Sequence, residues 1–340
     1  MDWLLFEQLD RLRRAQGTWL DALGLGPAET PYRETFRSAG VALRRYGSGE
    51  EGAPVVLIVP APIKRPYIWD LAPDASAVRR CLAAGAQVLL ADWQPAPSRF
   101  GLAEYGERLI LACLDAARAE RAVLLAHSLG GLFAAIFATL HPERVQGLGL
   151  LAAPLHFGAD TPVFNAMVAQ LDAGALPDSL PGSFLSAASL NAAPGVFGSE
   201  RLLDALLSAG DPACLRTHLL VERWALDEFA LPRRLVAELA TQIVREDRFV
   251  RGTLQIDGRN AAPIGLTAPL LCVLDPRCEL VPPGAVLPFV AAAASRDKTV
   301  LHYDGDVGVS LQHVGPLVGR SAHALLWPKI VAWIARTRVH

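Results

Sequence analysis

Apolar residues recur along this chain in two alternating rhythms. Short runs such as 54–59 (P-V-V-L-I-V), 87–93 (Q-V-L-L-A-D-W) and 122–126 (A-V-L-L-A) are almost unbroken by polar residues, the pattern of strands covered on both faces. Between them the apolar positions fall at helical spacing, in a stretch ending at Gly85 and in others over 102–119 and 129–140. Further strands are predicted at 41–46, 147–152, 269–274 and 299–303, with a last helix over 316–335. This alternation predicts an α/β fold, a mostly parallel central sheet flanked by helices, with no internal repeat.

Two segments depart from that rhythm. Over 2–24, Trp3, Leu5, Phe6, Leu9, Leu12, Trp19, Leu20 and Leu23 predict an amphipathic helix, broken near Gly17, whose apolar face packs on the main body. Residues 155–265 carry stretches rich in Pro, Gly, Ser and Ala, with no strong strand between 153 and 254. A compact domain rarely holds so long a structureless loop, so this segment is expected to be a largely helical cap inserted between strands. The expected organisation is an N-terminal helical segment over 1–30, a core over 31–155 and 266–340, and a cap or lid insertion over 156–265.

Composition narrows the function classes. A net charge of −2 over 340 residues gives no electrostatic reason to expect nucleic acid. The five cysteines are scattered without zinc-ligand spacing, so neither metal nor cofactor is expected, and the setting is expected to be reducing and cytoplasmic. Residues 1–6 lack the basic leader of a signal peptide. The long apolar stretch over 123–140 is interrupted by His127, Ser128 and paired glycines, which predicts a buried strand and helix rather than a transmembrane segment.

The chemistry concentrates at Ala126-His127-Ser128-Leu129-Gly130, a G-x-S-x-G elbow with alanine for the first glycine. A buried strand enters it and an apolar helix leaves it, the context that exposes a serine nucleophile at the top of an α/β-hydrolase sheet. The serine needs a base, which in this fold follows the last strand. His127 and His141 flank the elbow helix, and His156 follows the next strand. His218 falls in the insertion, His302 in a strand and His323 in the last helix, while His340 ends the chain. His313, in the loop before the last helix, is the expected base. For the oxyanion, Leu129 supplies one backbone N–H. The other comes from the loop after strand 54–59, where Pro60 and Pro62 have none, leaving Ala61 or Ile63.

At this point the chain resembles the polyhydroxyalkanoate synthases, especially the smaller two-subunit type. The resemblance rests on residues 62–71 (P-I-K-R-P-Y-I-W-D-L), 88–93, the elbow, 154–158 (P-L-H-F-G), 222–227 (E-R-W-A-L-D), 247–252, Gly258-Arg259, 281–283 (V-P-P) and 313–319 (H-V-G-P-L-V-G). It spans roughly 30 to 338, leaves no room for the N-terminal domain of the larger synthases, and favours Ile63 as the second oxyanion donor. It implies a dimer or a synthase subunit as partner.

Two departures from that family matter. The synthases use a cysteine nucleophile where this chain has Ser128, and serine's more stable oxygen ester tilts the expectation towards transfer to water. The synthases also carry an aspartate where Cys278 stands, and a thiol cannot orient imidazole as a carboxylate does. Asp275, which ends its strand, is the first choice of acid, with Glu279, Asp304 and Asp306 as alternatives. The expectation is a serine hydrolase acting on an acyl or hydroxyacyl ester, small or polymeric. The alternatives are a synthase-like acyltransferase using hydroxyacyl-coenzyme A, or a non-catalytic relative binding polymer granules or a synthase subunit.

Overall fold

The computed structural model describes residues 2–47, 52–159 and 161–337; Met1 and His340 lie outside them. Eight strands form one sheet: β1 (Tyr32–Ser38), β2 (Val41–Tyr46), β3 (Val55–Val59), β4 (Gln87–Trp93), β5 (Ala122–His127), β6 (Val145–Leu151), β7 (Leu270–Leu274) and β8 (Lys298–His302). Their spatial order is β1-β2-β4-β3-β5-β6-β7-β8. The first two pairings, β1 with β2 and β2 with β4, are antiparallel, and the rest are parallel. This is the α/β-hydrolase arrangement that the alternation predicts.

The period-two geometry of the strands sorts their side chains onto two faces. Leu57, Val59, Leu124 and Ala126 pack with Ile110 of α3 (Leu109–Ala116) and with Phe133 and Phe137 of α4 (Leu129–Leu140). Val56, Ile58, Val123 and Leu125 point the other way, towards Val78 of helix α2 (Ala77–Ala83) and towards Trp327 and Trp333 of the final helix (Trp327–Arg336). Each fully buried Leu or Phe contributes about 1.5–3 kcal/mol over its exposed state, so the central strands are fixed by burial alone.

Strand β1 has no such signal and was not expected. Its residues are mostly exposed, and it is held as an antiparallel edge by its ladder to β2. Between β6 and β7 run five α-helices: α5 (Pro162–Ala169), α6 (Gly182–Ala192), α7 (Glu200–Ser208), α8 (Pro212–Ala225) and α9 (Arg233–Glu238). A two-residue strand pair (Ser179–Leu180 with Leu231–Pro232) and a hairpin (Leu254–Ile256 with Arg259–Ala261) complete this largely helical insertion.

The N-terminal helix α1 (Trp3–Leu20) departs from expectation in two ways. It runs unbroken through Gly17, which is bare because the Arg223 guanidinium lies where a Cβ would be, at 2.8 Å. The break falls at Gly24, whose φ of 78° only glycine adopts readily. The expected apolar face of the helix is also only partly packed. Trp3 and Phe6 meet Phe184 edge to face, but the helix's buried residues are Asp10 and Gly17, while Leu4, Leu5, Leu12 and Trp19 are exposed. The Asp10 carboxylate accepts from the Gly182 and Ser183 amides at 3.2 and 2.7 Å, capping the start of α6.

Among the described glycines, the closest approach to another backbone is between the start of α4 and the end of β3. A Cβ on Gly130 would stand 2.2 Å from the Val59 carbonyl oxygen and 2.5 Å from that of Pro60. Backbone cannot yield as a side chain does, so Gly130→Ala is expected to destabilise the fold by more than about 2 kcal/mol. A chemical denaturation series checks this. An unchanged midpoint would mean that the helix and strand are not held at this spacing.

Candidate active site

The elbow forms where β5 ends and α4 begins. Ser128 sits at φ 53° and ψ −132°, a conformation that costs a non-glycine residue about 1–3 kcal/mol and persists only when its surroundings enforce it. The surroundings do so here. The Ser128 amide donates to the Leu151 carbonyl on β6 at 3.1 Å, and its carbonyl accepts from Gly131 at 2.8 Å. Ala126 is fully buried and sits in the β3 register opposite Val59, so the extra methyl at the first motif position is accommodated.

His313 arrives from the far end of the chain, on a short 3₁₀ turn (Gln312–Val314) beyond β8. His127 Nε2 donates to the His313 carbonyl at 2.8 Å, which requires the proton on Nε2, and the two rings lie 4.6 Å apart. The carbonyl accepts only, so this contact also fixes the His127 tautomer. Burial pushes His127 down to about 4, with its bond to the carbonyl working the other way. Burial, and then the neighbouring His127, hold His313 well below the ordinary histidine value, so its imidazole is neutral at pH 7. Neither His313 ring nitrogen has a hydrogen-bond partner.

That vacancy is most telling on the acid side. His313 separates two cavities. One, of about 600 Å³, is lined by Glu200, Asp275, Cys278, Glu279, Asp304 and Asp306. Asp275 is buried there, but its carboxylate accepts from the Arg277 amide at 2.8 Å and not from His313. Glu279 and Asp304 are exposed. Asp306 is committed to Tyr303 Oη (3.0 Å) and to the Ser321 and Ala322 amides (2.8 and 3.2 Å). Cys278 is buried in the same wall, its Sγ accepting from the Val281 amide at 3.3 Å. Burial pushes its thiol up, so it stays protonated. Ser128 and His313 thus line one cavity, whereas among the described residues no carboxylate is hydrogen-bonded to His313.

The second cavity, of about 560 Å³, has Ser128, His127 and His313 in its wall together with Leu129, Ala61 and Ile63. The loop carrying Ala61 and Ile63 is pinned from several sides. Trp93 Nε1 donates to the Pro60 carbonyl at 2.7 Å, and Trp224 Nε1 to that of Arg65 at 2.8 Å. Lys64 makes a backbone bridge to Glu228, and its ammonium meets the Glu228 carboxylate at 2.7 Å. The other Glu228 oxygen pairs with Arg13 of α1 at 2.8 Å. Burial lowers the Lys64 pKa, and Glu228 works against that shift. Phe157, Phe164, Met167, Phe184, Ile243 and Leu280 give the cavity an apolar lining, mostly from the insertion.

Sequence reasoning missed the roles of His127, Lys64 and Glu228, and also a carboxylate–histidine pair in the insertion, Asp204 with His218 at 2.7 Å. The Lys64 and Glu228 positions fall in stretches quoted for the resemblance or beside them, which was the only available signal.

The alpha/beta hydrolase fold family model matches residues 55–187. The monoacylglycerol lipase of Paleococcus ferrophilus superimposes with a TM-score of 0.56 at 18% identity, covering 87% of this chain and 99% of that one, which supports the fold alone. The poly(3-hydroxyalkanoate) polymerase subunit of Allochromatium vinosum is 27% identical over 98% of this chain and 97% of its own length. The corresponding subunit of Thiocystis violacea is 25% identical with the same coverage. The sheet order, the strained elbow and the family-model match thus give the chain the α/β-hydrolase fold, and it is similar along nearly its whole length to polyhydroxyalkanoate polymerase subunits.

Proposed function

We propose that this protein is an acyl-transfer enzyme that carries a hydroxyacyl group on Ser128, taken from a hydroxyacyl-coenzyme A thioester and passed to a hydroxyl acceptor. The carrying observation is a strained Ser128 in the wall of the same apolar cavity as a buried, neutral His313 without a hydrogen-bond partner among the described residues, in a chain similar along nearly its whole length to polymerase subunits. His313 takes the Ser128 proton as Oγ bonds to the acyl carbon. The Leu129 and Ile63 N–H groups hold the oxyanion, with Ala61 as the other donor available in the same loop. Collapse breaks the thioester, His313 returns the proton to the departing thiol, and the acyl group remains as an ester on Ser128. An acceptor hydroxyl then gives its proton to His313 and attacks that ester, and His313 passes the proton to the departing Ser128 Oγ, restoring both residues. The insertion serves as the cap that keeps water from the acyl-enzyme.

Hydrolysis is the same sequence with water as acceptor, and the oxygen of Ser128 favours it. A serine ester is less prone than a thioester to hand its acyl group onward. Incubating the protein with 3-hydroxybutyryl-coenzyme A and analysing products by mass spectrometry separates the two readings. Release of coenzyme A with hydroxyacyl oligomers, abolished in Ser128→Ala, is the expected outcome. Free hydroxy acid alone would make the protein a hydrolase. No release, with no fluorophosphonate labelling of Ser128, would leave the non-catalytic reading.

Asp275 is proposed as the carboxylate acting on the His313 side, from across the shared cavity rather than by direct contact. Loss of a properly placed triad carboxylate costs about 10⁴-fold in turnover. Cys278→Asp puts a carboxylate where the synthase pattern has one and is expected to speed fluorophosphonate labelling of Ser128 at least about tenfold. A slower or equal rate would mean that position 278 does not face the His313 ring.

The pH dependence has a defined sign. The base form of His313 is the neutral one, and its folded pKa lies well below 6.5. Labelling is therefore expected to stay within about twofold between pH 8 and pH 6, and to fall only in more acidic solution. A decline centred near 6.5 in a stopped-time labelling series would show a solvated base instead.

A further inference from the structure

The loop that delivers His313 is not held by the core sheet alone. Its segment 308–310 lies on the insertion, so close to α8 that a Cβ on Gly308 would stand 2.6 Å from the Cys214 carbonyl oxygen. Asp204 of α7 accepts from the Gly308 amide at 2.8 Å and from the Ser310 amide at 2.7 Å, one through each carboxylate oxygen. His218 Nδ1 of α8 meets the second of these oxygens at 2.7 Å. Glu222, one turn further along α8, accepts from the Ser310 hydroxyl and is itself held by Arg201 at 2.6 Å. Asp204, His218 and Ser310 are all buried. Ser310 adopts φ 60°, a left-handed conformation that a serine keeps only where its hydrogen bonds enforce it.

Burial works against the charge on Asp204, but the bonds from His218, Gly308 and Ser310 outweigh it and hold the carboxyl below its ordinary value. A charged acceptor with three donors in a dry site is a rigid junction, because leaving any of them unpaired carries the full desolvation cost of that group. The junction stands three residues before His313. On the other side, His127 fixes the His313 carbonyl from the elbow. The base is therefore suspended between the insertion and the nucleophile strand.

We propose that Asp204 is a positioning residue for His313, so that the cap and the base loop move as one unit and the base is aligned only when the cap is seated. The proposal rests on the Ser128–His313 reading above. It makes cap opening and loss of base alignment a single event: an open molecule admits substrate without activating Ser128, and closure supplies the base.

Asp10 provides a matched control. It is also buried and accepts from two backbone amides of the insertion, but it ties them to α1 and makes no hydrogen bond to residues 308–313. With a 4-nitrophenyl acyl ester, Asp204→Asn is expected to lower kcat at least tenfold with KM within threefold. Asp10→Asn is expected to lose comparable thermal stability with kcat within threefold. Equal kcat losses in the two variants, or an unchanged kcat in Asp204→Asn, would overturn the proposal. Should Asp204→Asn not fold, Ser310→Ala removes only the hydroxyl contact and is expected to lower kcat three- to tenfold, an unchanged kcat again being fatal. If wild type neither turns over ester nor labels at Ser128, the catalytic reading fails by itself. The His313 imidazole resonances in ¹⁵N NMR then decide the positioning: a shift in Asp204→Asn but not in Asp10→Asn supports it, and no shift refutes it.

Discussion

The contact on which the rest of the site depends is backbone against backbone, where α4 leaves β5 and passes the end of β3. With a hydrogen in place of a Cβ at Gly130, the helix start comes close to the Val59 and Pro60 carbonyls. That closeness forces the turn at Ser128 into φ 53°. The same contact sets the loop after β3 beside the helix N-terminus, bringing Ala61 and Ile63 into the cavity that Ser128 and Leu129 share. Strain of about 1–3 kcal/mol at Ser128 is small against the apolar burial on the two sheet faces, each large side chain of which contributes a similar amount. The elbow is therefore a consequence of the core, held in place by the Ser128 backbone bonds to Leu151 and Gly131.

His313 is governed by a different balance. A buried imidazole without partners is stable only while neutral, because burying an unpaired charge costs several kcal/mol. In the proposed chemistry, neutrality suits it to accept the serine proton, and the imidazolium formed would gain nothing from a bonded carboxylate. The acidic wall of Glu200, Asp275 and Glu279 can offset part of this through the cavity beside the ring. Charges acting across a solvent-accessible space are worth much less than a hydrogen-bonded pair. The substitution of a thiol at 278 thus weakens the charged state of the base far more than its ground state.

The parallel strands, the elbow and the position of His313 were legible in the sequence because each leaves a local mark: an unbroken apolar run, small residues around a serine, a histidine between the last strand and helix. Strand β1 left none, since its side chains are exposed and its ladder to β2 is made by backbone. Gly17 read as a helix break, but it marks the space needed by the Arg223 guanidinium, a contact more than two hundred residues away in sequence. Asp275 ends its strand as expected and faces the right cavity, but its oxygen turns back to the Arg277 amide. A choice among neighbouring carboxylates depends on side-chain direction, which spacing does not encode.

Amphipathicity alone does not account for how α1 and α7 pack. Leu202, Leu203, Leu206 and Leu207 of α7 are exposed while Asp204 is buried, as Asp10 is in α1. Exposing leucines forfeits about 1.5–3 kcal/mol each, so the inward acids must be held by something specific. In both helices that is a pair of backbone amides from another element, with His218 added for Asp204. Apolar packing would tolerate sliding of the insertion over the core, since dispersion changes little with a small shift. Hydrogen bonds to buried charges do not: they are directional, and breaking one side of such a pair costs about 3–5 kcal/mol. An insertion docked through Asp204 and Glu228 therefore has one seated position, and that position is the one that also fixes the loop before His313 and the loop of Lys64.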